Sequence, residues 1–236
     1  MIPGWTEADL PAPQPRDGSE LAGMTADPAC RITGTIYQMY RDVARSEEDR
    51  RWLAGQHVRY DITRIPPATF CNEFVKTKGH YHPANPAGIA YPEVYEVLAG
   101  QAHYLLQRPD HSDAVLIEAT AGTTVLIAPG YGHVTINPGD GELVMANLVS
   151  TSFSSDYRPY EALRGAIYYE LADGTFVPNP SYLRVPPLRR LRPADLLPLG
   201  VPEGCGLYDL VERRVPLDWL DAPERFAGLL SLRSAE

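Results

Sequence analysis

From residue 57 to residue 174 the chain runs as short apolar–polar alternations cut by turn residues, a pattern that helix packing cannot satisfy. In HVRYDITRI (57–65), Val58, Tyr60 and Ile62 alternate with Arg59, Asp61 and Thr63, the period of a half-buried strand. Similar runs follow at EVYEVL (93–98), AHYLLQ (102–107), DAVLIEA (113–119), TTVLIA (123–128), HVTI (133–136), ELVMANLV (142–149) and AIYYELADG (166–174). The breaks between them, such as AGQ, RPDHSD, PGYG and NPGDG, are turn-forming. This density of short strands predicts an all-β fold, an antiparallel sandwich or small barrel. RITGTIYQMY (31–40) reads as an earlier strand. RDVARSEEDRRWLAG (41–55), acidic then basic and closing on glycine, reads as a short flanking helix.

The flanks lack this regularity. Residues 1–30 are proline-rich and read as an irregular N-terminal arm, and LRVPPLRRLRP (183–193) reads as a junction. Residues 185–236 form a C-terminal extension with an amphipathic patch at Phe226, Leu229 and Leu230, expected to pack on the barrel or on a partner subunit. With 236 residues, 44% of them hydrophobic, the chain can bury one sizeable core. Its net charge of −9 argues against nucleic acid as a partner, while a local cationic cluster could still face a small anion. No apolar run approaches the ~20 residues of a membrane span. The opening MIPGWTEADLPAPQPRDG has neither the basic nor the apolar region of a signal peptide. Cys30, Cys71 and Cys205 are widely spaced without a C-x-x-C pair. That spacing carries no disulfide or metal signature and fits a reducing compartment, so a cytoplasmic protein is expected.

Three of the six histidines fall in informative places. His80 and His82 lie two apart on an extended segment, so both rings leave one face. His133 follows APGYG at the start of another strand. Three neutral imidazoles and a carboxylate make a site for a divalent transition metal with positions left for substrate. Glu93 is the natural carboxylate, with Glu96 as competitor. His57, His103 and His111 read as solvated or merely packed.

The spacing around these residues carries a resemblance. Glu93 and Gly100 give E-x6-G, and Gly122, Gly130, His133 and Asn137 give G-x7-G-x2-H-x3-N. The pair resembles the two motifs of the cupin superfamily, with Ala128 where proline is usual. Ten residues (PANPAGIAYP) separate His82 from Glu93 where cupins typically have three or four, an excess that a surface loop can absorb. NEFVKTKGHYH, EVYEVLAGQAHYLLQ, GTTVLIAPGYGHVTINPGD, SDY and NPSY look like the cupin-type glucose-6-phosphate isomerases of archaea and some bacteria.

That resemblance covers about residues 31–183 and implies a cupin double-stranded β-helix over 31–184. It implies a metal site of His80, His82, Glu93 and His133 holding one divalent ion (Fe²⁺, Mn²⁺, Ni²⁺ or Zn²⁺), with Glu93 and Tyr95 catalytic. Its phosphate-side residues fall on Thr63 and Thr77 with Gly79 beside them, and its sugar-side tyrosines on Tyr37 and Tyr157. The implied reaction is aldose–ketose isomerisation between glucose 6-phosphate and fructose 6-phosphate, small-molecule sugar phosphates, through a cis-enediolate or a hydride shift. The implied assembly is a homodimer. The same fold would also suit an isomerase or epimerase of another sugar, or a cupin that binds without turnover.

The chain's two lysines precede the histidine pair. Strict alternation puts Lys76 and Lys78 on the face of His80 and His82, lining the route of a phosphorylated substrate, and Thr77 on the opposite face. A bulge at Gly79 would re-aim these residues. At the substrate end Ser155 stands where the family often has a histidine before DY. Val149 stands where a tyrosine is frequent.

Overall fold

Inward and outward side chains of alternating strands need two different partners, and the fold supplies both. The computed structural model describes residues 2–232. The N-terminal half carries β1 (Gln14–Asp17), β2 (Thr35–Tyr40), β3 (Val58–Ile65), β4 (Thr69–Phe70), β5 (Glu73–Phe74), β6 (Glu93–Ala99) and β7 (Gln101–Gln107). There follow β8 (Ala114–Thr120), β9 (Thr124–Ile127), β10 (Gly132–Ile136), β11 (Leu143–Ser150), β12 (Tyr168–Glu170), β13 (Phe176–Pro178) and β14 (Leu188–Leu191). The helices are α1 (Glu47–Gly55), α2 (Arg158–Ala162), α3 (Leu207–Glu212) and α4 (Asp218–Asp221).

A six-stranded sheet, ordered β1-β2-β3-β11-β6-β9, packs against a four-stranded sheet, ordered β10-β7-β8-β14. The chain changes sheet between β6 and β7 at Gly100, whose φ of +81° favours glycine. A Cβ there would also stand 2.6 Å from the Glu142 carbonyl oxygen, so the last position of the E-x6-G motif is fixed by contact as well. Ile65, Tyr95, Val97 and Met145 of one sheet meet Tyr104, Leu106, Val115 and Ile117 of the other in a buried cluster between them.

The outward residues of the larger sheet, including Tyr60, Ile62, Val94, Ala146 and Leu148, are covered by Leu53 of α1 and by Leu207, Leu210, Val211, Trp219 and Leu220. The C-terminal extension is thus part of the core, packed on its own barrel. Six-residue α3 is far too short to stand alone, but full burial contributes ~1.5–3 kcal/mol for each of its apolar side chains. Residues 233–236 of the extension lie outside the described residues. No helix among the described residues is long and apolar enough to cross a membrane.

Several expectations are corrected. The irregular arm contains β1, which pairs antiparallel with β2 and places Arg16 opposite Tyr37. The 183–193 junction contains β14, which runs parallel to β8. The 166–174 run is not one strand, because only Tyr168–Glu170 is extended and it pairs with β13 in a separate hairpin. β3 is not half-buried: Asp61 and Thr63 are as buried as Tyr60 and Ile62, because its polar face looks into the barrel. Cys30 and Cys71 are joined in a disulfide with Cα atoms 5.9 Å apart, and Cys205 is free. Folding brings together two cysteines 41 residues apart, a separation that no motif announces. The cysteine count therefore carries no argument for a reducing compartment.

Candidate metal centre

His133 stands on β10, and Glu93 opens β6 with Val149 and Ile127 as its neighbours on β11 and β9. His80 and His82 lie on the extended segment after β5, which is docked to β10. His80 and His133 exchange both backbone hydrogen bonds, at 3.3 and 3.1 Å. One ligand atom from each of His80, His82, Glu93 and His133 lies within 4.8 Å of the others.

The side chains around the cluster fix its donors. The Tyr91 carbonyl can only accept, so His82 donates Nδ1–H to it at 2.9 Å and keeps the Nε2 lone pair, 3.4 Å from Glu93 Oε2. The long insert makes this possible. Asn85 Oδ1 accepts from the backbone of Ala87 and Ile89 at 3.0 and 3.1 Å. This closes PANPAGIAYP into a turn that returns Tyr91 beside His82. Asn147 donates to Glu93 Oε1 at 2.7 Å, leaving Oε2 buried with no hydrogen-bond partner. His133 Nε2 lies 3.2 Å from the Tyr95 hydroxyl and 3.4 Å from Glu93 Oε2.

Burial sets the charges. It lowers His80 to about 4 and His82 to about 3, and holds His133 well below the ordinary imidazole value, so all three are neutral at pH 7. The same burial pushes the Glu93 carboxyl up to about 8, against the Arg41 and Arg59 charges that pull it down. Lone-pair imidazoles around a buried carboxylate oxygen that lacks a partner fit a metal ion, which would supply the missing charge.

His80, His82 and Glu93 of the cluster line a cavity of about 440 Å³, and His133 lies behind them. Glu96 is excluded from it: being one residue out of phase with Glu93 and Tyr95, it faces outward and accepts from the Leu207 amide at 2.7 Å. Thr63, Thr77, Lys78, Tyr37, Tyr95 and Tyr157 all line the cavity. Thr77 and Lys78 do so together because the segment bulges. Lys76 bridges Ile136 and His80 bridges His133, so four steps on one side oppose three on the other. Thr77 Oγ1 accepts from the Thr135 amide at 2.9 Å, standing in for a backbone carbonyl. Lys76 does not reach the cavity. It is buried against Glu73, with its ammonium 4.8 Å from the centre of the Tyr169 ring.

Gly79 is not among the lining residues. Its missing side chain faces the fully buried Tyr160 ring, which a Cβ would overlap, and Val134 Cγ1, 2.7 Å from that Cβ. Gly79→Ala is therefore expected to destabilise the fold by ~1–3 kcal/mol through overpacking and to shift His80. The measurements are a thermal melt and bound metal per chain. An unchanged melting temperature with only a raised KM would instead make Gly79 a substrate contact.

Arg16, Arg41, Arg59, Asn147 and Phe153 also line the cavity and were not singled out from the sequence. Arg41 and Arg59 both pair with the fully buried Asp61, at 2.5 and 2.8 Å. The signal available was the Arg–x–Asp alternation on β3, misread as a solvent face. Phe153 packs on His82, ring centres 4.4 Å apart. His57, His103 and His111 lie outside the cluster, and His103 bonds Glu170 at 2.8 Å.

Residues 16–186 match the family model described as Glucose-6-phosphate isomerase (GPI). The chain belongs to this family. Glucose-6-phosphate isomerase of Thermococcus litoralis is 37% identical over 122 residues, which are 52% of this chain and 58% of that one. The protein of the same name from Pyrococcus furiosus is 33% identical over the same shares of each chain. The match thus spans little more than half the length of these glucose-6-phosphate isomerases. A solved oxalate decarboxylase from Lactobacillus farciminis is 17% identical, over 53% of this chain and 32% of that one, with a TM-score of 0.39, too slight a likeness to argue from.

Proposed function

We propose that the chain is a metal-dependent aldose–ketose isomerase interconverting glucose 6-phosphate and fructose 6-phosphate. The observation that carries this reading is one cavity lined both by residues of a His₃Glu cluster and by hydroxyls and cations suited to a phosphate. Membership of the glucose-6-phosphate isomerase family supports it independently.

His80, His82, His133 and Glu93 would hold a divalent ion, Fe²⁺, Mn²⁺, Ni²⁺ or Zn²⁺, since donor type alone does not choose among them. Such an ion, when bound, polarises the oxygens on C1 and C2 of the sugar. The chain's own groups do the rest. Glu93 carries the hydrogen between C1 and C2 as a proton, its carboxyl oriented by Asn147 and raised by burial toward neutrality, where a general base is most effective. Tyr95, hydrogen-bonded beside His133, can donate to a sugar oxygen as charge develops on it. Thr63, Thr77 and Lys78 hold the phosphorylated end and Tyr37 and Tyr157 the sugar, and together they fix which carbon meets Glu93. Ser155 and Val149, both lining the cavity, favour a second reading in which the same chemistry acts on a different sugar phosphate.

A coupled assay of fructose 6-phosphate conversion, run beside a panel of other sugar phosphates, tests both readings. Activity is expected to vanish with a chelator and to return with a divalent metal. Full turnover by a verified metal-free sample would defeat the mechanism, and preference for another sugar phosphate would promote the second reading.

A further inference from the structure

We infer that Arg16, on the N-terminal strand β1, is a specificity-determining residue that grips the phosphate of the substrate, supplying the positive charge absent at Ser155. The inference rests on the isomerase reading and extends it to a residue outside the barrel motifs.

Arg16 lines the same cavity as the metal cluster, with the Tyr157 ring between them: that ring's centre lies 5.2 Å from the centre of the His80 ring. Register places it opposite Tyr37, with three strands (β2, β3 and β11) between its own strand and that of Glu93, and several residues further along the sheet. Its guanidinium carbon lies 5.9 Å from the centre of the Tyr37 ring and 5.8 Å from that of Tyr157. Between two aromatic faces the planar group is held in one orientation. Nη1 pairs with Glu20, four residues on, at the partly exposed rim. Nε is different: it is buried and has no hydrogen-bond partner. A buried guanidinium N–H without an acceptor is rare in a settled structure, and it marks a place where a ligand brings the acceptor.

The neighbours of Arg16 agree on the kind of ligand. The Thr77 hydroxyl already accepts from the Thr135 amide, so its own O–H remains to donate. The Tyr37 hydroxyl accepts from the Lys78 amide at 3.1 Å and is left as a donor in the same way. Lys78 stands over Tyr157, with Nζ 5.0 Å from the ring centre and 2.7 Å from Glu161. Several donors and two cations around one end of a cavity suit a phosphate dianion, which offers only acceptors. Ser155, two residues before Tyr157, lines the same cavity and brings no charge. An arginine from another strand restores a cation there and adds planar two-point geometry.

The test uses calorimetric titration of glucitol 6-phosphate, free glucitol and inorganic phosphate into the full chain. Arg16→Gln is expected to raise the Kd for glucitol 6-phosphate about 10- to 100-fold, the loss of one charge-assisted contact, and to leave free glucitol within about twofold. Arg16→Lys should recover part of the loss, and Ser155→His in the Arg16→Gln chain a further part. Glu20→Gln removes the carboxylate that competes for Arg16, and Glu20 does not itself line the cavity. It should tighten glucitol 6-phosphate about two- to fivefold, and this measurement stands even if Arg16→Gln folds poorly. Equal affinity of Arg16→Gln and the parent chain for glucitol 6-phosphate would overturn the inference, as would unchanged or weaker binding by Glu20→Gln. A parent chain that binds glucitol 6-phosphate through Arg16 yet converts no sugar phosphate would instead sink the isomerase reading alone.

Discussion

Replacing Glu93 by glutamine is expected to lower kcat by at least 10³-fold, with the fold intact. The amide is isosteric and its oxygen can still accept from Asn147, the one hydrogen bond Glu93 makes at Oε1, so packing on β6 should survive. Two things are lost together: the group proposed to carry the proton, worth typically 10²–10⁴, and the anionic ligand of the metal. Measuring kcat beside bound metal per chain separates them, and a variant that keeps its metal and more than a tenth of its kcat would remove Glu93 from the base role. The metal-free proteins should differ in a second way. Burial raises the folded carboxyl from 4.5 to about 8. Between those values the unfolded chain has lost the proton and the native chain has kept it. Stability of the metal-free parent should therefore fall as pH rises from about 4.5 to about 8, by up to ~1.4 kcal/mol per unit from this group. Glu93→Gln should lack that share of the slope. Parallel stability–pH curves for the two metal-free proteins would show that Glu93 is not held as a buried neutral acid.

The His80, His82, Glu93 and His133 cluster was legible because each member is tied to a local rule. His80 and His82 share a face by period two, while Glu93 and Gly100 bracket a strand that must end in a positive-φ turn. The choice of Glu93 over Glu96 follows from strand phase alone, since only Glu93 shares a face with Tyr95. What stayed hidden depends on contacts distant in sequence. QPRD (14–17) contains a proline and no apolar alternation, and it becomes a strand only because β2 offers an unpaired edge. Arg41 and Arg59 become cavity residues because Asp61, buried inside the barrel, needs cations. The two lysines of KTKGH looked equivalent until the bulge separated them. It turned Lys78 to the cavity and left Lys76 buried on Glu73. Polar residues alternating on a strand are read as solvent-facing by default, and a barrel that encloses a polar site reverses that default.

Removing the Cys30–Cys71 bridge is expected to cost about 3–4 kcal/mol of stability. By the chain-entropy relation, a closed loop of roughly 41 residues restricts the unfolded chain by about that amount at 25 °C. That is a large fraction of the ~5–15 kcal/mol that holds most domains folded. The bridge also has a local consequence. Cys30 lies between β1 and β2, and Cys71 lies between β4 and β5, just ahead of the segment bearing Thr77, Lys78, His80 and His82. It therefore ties the Arg16 side of the cavity to the ligand side. Cys71→Ser is the cleaner probe, because Cys71 is exposed and serine leaves no unmet contact there, whereas Cys30 is buried. Urea unfolding should show the midpoint falling by about 1 M or more, given slopes of ~1–3 kcal/mol per M. If Arg16 grips the phosphate as proposed, KM for the phosphorylated sugar should rise more than kcat falls. Thiol titration of the native parent should count one free cysteine, Cys205. Three reactive thiols in native, unreduced protein, or identical urea midpoints with and without a reductant, would show that the two halves of the cavity are held together by packing alone.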